Sequence, residues 1–180
     1  MPICSEKELP EKARALWIKA KSAADLKNYG YAISLLQNVL KEAPGFLDGR
    51  KMLRSAAIAK NDGKNGSSSF FGSLSSVSLS GGGAVKKDPL AAMENSERIL
   101  EADPFNVAAN NRLKEAAIAA GFPEIAVFAL ETLVKGNPKD TRILHELGDL
   151  YFSSEKPDLA LEIFNKISEI NPADLTATQR

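Results

Sequence analysis

The stretch TRILHELGDLYFSSEKPDLALEIFNKISEINP at residues 141–172 holds two apolar patterns of helical period divided by a proline. Over 141–152 and again over 157–170 apolar residues recur at three- and four-residue steps, interrupted by no glycine or proline except Gly148 and the opening Pro157. Proline has no amide hydrogen and a fixed φ, so it suits the first turn of a helix or the break after one. Pro157 and Pro172 therefore punctuate a helix, a short turn and a second helix. The same punctuation recurs upstream: Pro104, Pro138 and Pro172 stand 34 residues apart, and Pro89, Pro123 and Pro157 keep that interval. One helix pair is being copied along the chain.

The residues between the prolines sharpen this reading. Leu144, Leu147, Gly148, Tyr151, Ala160, Phe164 and Pro172 reproduce the spacing W-x2-L-G-x2-Y, then A-x3-F, then P, with Leu144 in place of the tryptophan. The chain thus resembles the tetratricopeptide repeat family. One period back the match runs through Leu113, Ala126, Leu130, Leu133 and Pro138, with Lys114 and Ala117 where the pattern has glycine and tyrosine. A further step gives Ala92, Ser96, Ile99 and Pro104, but Gly81-Gly82-Gly83 lies where the first helix of that copy should be, so no helix is expected there. That helix is found further upstream, because the run Met52-Leu53-Arg54-Ser55-Ala56-Ala57-Ile58-Ala59 echoes the run beginning at Arg112, at an offset of 60 rather than 34. The excess of 26 residues is an insertion at 63–88. The same offset carries Ala92, Ser96, Ile99 and Pro104 onto Ala32, Leu36, Val39 and Pro44.

The expected organisation is an all-α, tetratricopeptide-like solenoid of about four helix-turn-helix repeats with a Gly/Ser-rich insertion in the second. The divisions are a tail at 1–12, repeat one at 13–46, repeat two at 47–62 with 89–106, repeat three at 107–140, repeat four at 141–174 and a short tail at 175–180. The small residues Ala20, Ala32, Ala126, Ala160 and Gly148 read as points of close helix approach. A solenoid normally closes with a polar helix, and the expectation is either a longer array or a second copy covering the C-terminal face.

Composition bounds the function. The 180 residues are 44% hydrophobic, enough to bury a strip of core between neighbouring helices. One cysteine, Cys4, excludes an internal disulfide, the first thirty residues hold no signal-type apolar run, and no stretch approaches the roughly twenty apolar residues of a membrane span. A cytoplasmic location is expected. Charge is zero in sum but unevenly spread, +4 over 1–62, +2 over 63–88 and −6 over 89–180. A sequence pI near 6.6 and no continuous basic stripe argue against nucleic acid as the partner.

What the resemblance implies is a concave groove lined by the first helices, holding a peptide or helix of a partner protein. Carried onto this chain, the groove residues are Arg14, Trp17, Lys21, Lys51, Ser55, Asn111, Arg112, Glu115, Arg142, His145, Glu146 and Asp149. Trp17 has two readings, an anchor for the partner or a cover over the N-terminal end of the core. The basic group Arg14, Lys21, Lys51 and Arg112 suits an acidic segment.

The insertion is expected to be a flexible coil with a reach of about 28 Å. Its Phe70, Phe71, Leu74, Val77 and Leu79 are too apolar for a passive linker, leaving three readings: docking on the chain itself, contact with a partner or membrane surface, or self-association. No catalytic constellation emerges. His145, with Glu146, Asp149 and Glu115 around it, has too few ligands of the usual type for zinc, and the 63–67 segment lacks the phosphate-loop order. No metal, cofactor or enzymatic activity is expected. The function expected is a protein-binding scaffold, with a self-associating assembly component as the alternative.

Overall fold

The structure is a computed structural model that describes residues 4–62 and 82–174. Among the described residues it is all-α, with no strand, as the spacing requires. The helices are α1 (Glu11–Asp25), α2 (Tyr29–Glu42), α3 (Leu47–Asp62), α4 (Gly82–Lys87), α5 (Pro89–Ala102), α6 (Val107–Ala120), α7 (Pro123–Gly136), α8 (Thr141–Ser153) and α9 (Pro157–Ile170), preceded by a 3-10 turn at Glu6–Glu8. α1 packs on α2, α6 on α7 and α8 on α9 as hairpins, while α3 meets α5 across the inserted segment. No helix among the described residues is long and apolar enough to cross a membrane.

Local chemistry explains the boundaries. Pro89, Pro123 and Pro157 occupy the first turns of α5, α7 and α9, where a missing N–H leaves no intrahelical acceptor unserved. Asn28, Asp88, Asn106 and Asp140 cap α2, α5, α6 and α8, each side chain accepting a first-turn amide. The short turns inside the hairpins share one device. Lys27, Gly121 and Glu155 stand at equivalent places, and all three adopt left-handed backbone, with φ of 59°, 79° and 58°. That conformation lets the next amide reach back to the preceding helix: Asn28 N donates to Ala23 O, Phe122 N to Ala117 O and Lys156 N to Tyr151 O. Between hairpins a second device repeats, with the amides of Phe46, Asn106, Asp140 and Asp174 donating three residues back to Ala43, Asp103, Asn137 and Asn171.

The core runs as three adjoining clusters, one around Trp17, Leu36, Phe46 and Leu53, one around Met93, Leu100, Leu113 and Ile125, and one around Leu130, Leu144, Phe164 and Ile167. Full burial of each such side chain contributes about 1.5–3 kcal/mol. Within hairpins the close-approach position and its opposite number trade size. A Cβ added at Gly148 would lie 2.7 Å from Phe164 Cε1, so the glycine admits the ring. The equivalent pair in the first hairpin is Ala20 with Leu36, and in the second it is inverted: Arg54 stands at the glycine's place and Ser96 at the phenylalanine's.

One sequence expectation is corrected. The insertion is not coil throughout, because α4 forms over Gly82–Lys87, where the glycines argued against any helix. Six residues do not hold a helix by themselves; Val85 is 5% exposed and sits in the cluster with residues of α5 and α6, so burial imposes the turn. Asp88 then caps α5 and ends the short helix before Pro89.

Candidate interaction face

The first helices α1, α3, α6 and α8 position every groove residue named from the sequence, and the structure separates them into groups. Trp17 is 4% exposed, with its ring edge-on to Phe46 at a centroid distance of 4.9 Å and Lys21 Nζ 5.2 Å above it. Of its two readings the structure supports the core cover, since a closed indole offers a partner no surface. The nearby cations are also engaged. Arg14 donates to the carbonyls of Lys7 and Leu9, and Lys21 pairs with Glu6 at 2.9 Å. Arg14 and Lys21 are thus engaged by the chain's own N-terminal turn, while Lys51 and Ser55 are exposed on α3.

The middle and C-terminal part is different. On α6 Asn111 and Arg112 are half-buried, with Arg112 Nε enclosed and without a hydrogen-bond partner, and Glu115 is exposed. On α8 Arg142 folds back on Asp140 at 3.0 Å, and this contact raises the guanidinium above its ordinary value while lowering the Asp140 carboxyl. His145 Nε2 lies 2.9 Å from Asp174 Oδ2, and its ring is 6.2 Å from that of Phe164. Glu146 reaches across to Lys114 of α6 at 2.5 Å and Asp149 is exposed.

Between α6 and α8 lies an open cleft of about 480 Å³, lined by Lys114, Ile118, Leu130, Glu146, Asp149, Leu150 and Ser153. It brings Glu146 and Asp149 together with apolar side chains that the sequence reading did not single out. Ile118 is 52% exposed and Phe152, on the same helix as Leu150, is 68% exposed. The missed signal is periodic: Ile58, Ile118 and Phe152 occupy the same repeat position, as do Ala59, Ala119 and Ser153 beside them.

A second group missed from the sequence is buried. Arg50 and Arg54 of α3 and Glu97 of α5 are 2%, 3% and 4% exposed, with Arg50 Nη1 2.7 Å and Arg54 Nη2 3.1 Å from the two carboxylate oxygens. Arg54 also donates to Pro104 O and Asn110 Oδ1, and Arg50 to Pro44 O. Burial pulls the Arg54 guanidinium below its ordinary value, and Glu97 opposes that. The readable signal was Arg50 at the place of Leu144 and Arg54 at the place of Gly148.

Among the described residues no three His, Cys, Asp or Glu side chains gather as a metal site. The positions named in the insertion, Phe70, Phe71 and Leu74, lie outside the described residues.

Residues 112–174 match the family model described as tetratricopeptide repeat. No curated protein matches the sequence. Solved structures that it resembles include MamA 41-end from Desulfovibrio magneticus RS-1, at 17% identity and a TM-score of 0.43, over 93% of this chain and 80% of that one. A thermophilic tetratricopeptide repeat protein of Thermus thermophilus matches at 20% identity and a TM-score of 0.43, over 97% and 81%. YrrB, titled a tetratricopeptide repeat protein with an unusual peptide-binding site, matches at 15% identity and a TM-score of 0.42, over 93% and 90%.

Proposed function

We propose that this chain, whose residues 112–174 match the tetratricopeptide repeat model, is a non-catalytic scaffold that holds a peptide or helical segment of a partner protein across its first helices. Such repeats present a surface built by stacking rather than a pocket built for chemistry. The observation that carries the reading is the open cleft between α6 and α8, whose walls are mostly first-helix side chains and whose floor reaches Leu130 of α7.

A photo-reactive residue placed at Glu115 or Asp149 tests this, against the same residue at exposed Asn165 of α9. Crosslinks to one discrete partner from the two first-helix sites and none from Asn165 are expected. Equal labelling from all three sites would remove the reading.

A second reading, self-association, has one observation in its favour. In α7 Ile125 and Val127 are 0% and 4% exposed, whereas Leu159 and Leu161, one period later in α9, are 39% and 55% exposed. On α9 the apolar character that packing buries on α7 is left open to solvent. Light scattering over a hundredfold concentration range decides it, since a constant monomer mass leaves self-association no place.

A further inference from the structure

We infer that the first-helix face takes a segment that is both apolar and basic, its apolar side chains lying along a row formed by Ile58, Ile118 and Phe152 and its cations along the acidic flank of Glu115 and Asp149. This rests on the scaffold reading and adds to it the chemistry of the partner.

The row follows from the repeat. Ile58, Ile118 and Phe152 stand one repeat apart, near the C-terminal ends of α3, α6 and α8. Core residues at helical spacing are buried, yet Ile118 and Phe152 are more than half exposed and Ile58 is half-buried. An isolated exposed apolar residue needs no explanation, but a large apolar residue at the same place in three repeats, open to solvent in the last two, forms a row when the repeats stack. The neighbours along the chain, Ala59, Ala119 and Ser153, are small in each case, which lets a backbone approach beside the large side chain. On α6 the row meets the cleft, which Ile118 lines together with Leu150 of α8.

Charge then selects the occupant. Of the cations on the first helices, Arg14 is held by the Lys7 and Leu9 carbonyls, Lys21 by Glu6, Lys114 by Glu146 and Arg142 by Asp140, while Lys51 of α3 stays exposed and Arg112 of α6 half-buried. One helical turn before Ile118 and Phe152 stand Glu115 and Asp149, both exposed acids. An apolar stripe flanked by carboxylates attracts a segment of leucine-like and lysine- or arginine-like residues and repels an acidic one. The acidic balance of residues 89–180, −6, extends the same field over the surrounding surface.

The test uses the full chain and three labelled peptides of equal length, one of leucine and lysine, one of leucine and glutamate, one of serine and lysine. Fluorescence anisotropy is expected to show saturable binding of the leucine–lysine peptide alone, weakened severalfold when salt rises to roughly 0.5 M. Ile118→Asp and Phe152→Asp, at exposed positions that folding tolerates, are each expected to weaken it by roughly tenfold or more. Glu115→Lys combined with Asp149→Lys is expected to reverse the preference toward the leucine–glutamate peptide. Amide shifts in a labelled sample locate the peptide. If the glutamate peptide binds the same first-helix residues as tightly, the basic chemistry is wrong and the scaffold reading stands. If no peptide binds, or the shifts fall on α7 and α9, the row is overturned, and in the latter case the scaffold face with it.

Discussion

Arg50 Nη1 lies 2.7 Å from Glu97 Oε1, joining two helices that 26 inserted residues separate in sequence. In the other hairpins a short turn places the second helix on the first; here α3 and α5 have no such turn, and two guanidinium groups share one carboxylate between them. A buried ion network contributes little net stability against an apolar replacement, but removing one member strands the others. Glu97→Ala is therefore expected to cost about 3–5 kcal/mol. Replacing Arg50, Arg54 and Glu97 together by methionine is expected to cost clearly less, because Asn110 Nδ2 still serves Pro104 O. Urea unfolding of both variants checks this, and a triple variant weaker than Glu97→Ala contradicts it.

Gly148 and Phe164 form the size pair of the last hairpin. Gly148→Ala pushes a methyl group to 2.7 Å from the ring and is expected to destabilise by about 1–3 kcal/mol. Adding Phe164→Leu is expected to restore part of that loss, since Ala20 opposite Leu36 shows the smaller partner accepted in the first hairpin. A double-mutant cycle reads the coupling, and strict additivity would mean that the two residues do not share the space.

The left-handed turn residues give a contrast of sign. Gly121 adopts its φ of 79° without steric penalty, whereas Lys27 and Glu155 place a Cβ in that region. Glu155→Gly is expected to stabilise by up to about 1 kcal/mol and Gly121→Ala to destabilise by at least as much. Thermal unfolding of the pair measures both; a destabilised Glu155→Gly would show that its side chain does more than tolerate the turn.

These pairs show which parts of the molecule were legible from sequence. The prolines and the 34-residue interval were enough for the all-α solenoid, because proline acts through its own covalent geometry and needs no knowledge of distant contacts. The fate of Trp17 was not legible: its burial depends on Phe46, far along the chain, and on an N-terminal turn that engages Arg14 and Lys21. Nor was the burial of Arg50 and Arg54 legible, since arginine is rarely buried without partners. Their partners, Glu97, Asn110 and the carbonyls of Pro44 and Pro104, come together only once the helices are stacked. Helix α4 was hidden for the same reason, its glycines arguing against the helix that Val85 secures by burial.

Trp17 is the single tryptophan of the chain and therefore reports on the N-terminal hairpin alone. A ring 4% exposed and packed on Phe46 is expected to emit at short wavelength and resist quenching by acrylamide. Trp17→Ala is expected to cost about 3–5 kcal/mol, the range for emptying a large aromatic site in a core. An emission maximum typical of a solvated indole in the native protein would return Trp17 to the surface and reopen its role as a partner anchor.

Tyr151 couples α8 to α7 in a way that pH can interrogate. Its hydroxyl donates to Glu131 Oε1 at 2.7 Å, and burial first, then that carboxylate, push the phenol up from its ordinary value. The folded chain thus keeps a proton that the unfolded chain releases near pH ~10. The associated stabilisation is complete below that value and is lost as pH rises above it, because ionisation then favours the unfolded state. Tyr151→Phe is expected to cost about 0.5–1.5 kcal/mol at neutral pH through the lost hydrogen bond, and the gap to the native chain is expected to narrow in alkali. Ultraviolet titration of phenolate beside circular dichroism checks the mechanism: one of the three tyrosines should ionise only as helix content falls. Full phenolate formation near pH ~10 with the helices intact would show that neither burial nor Glu131 holds the proton.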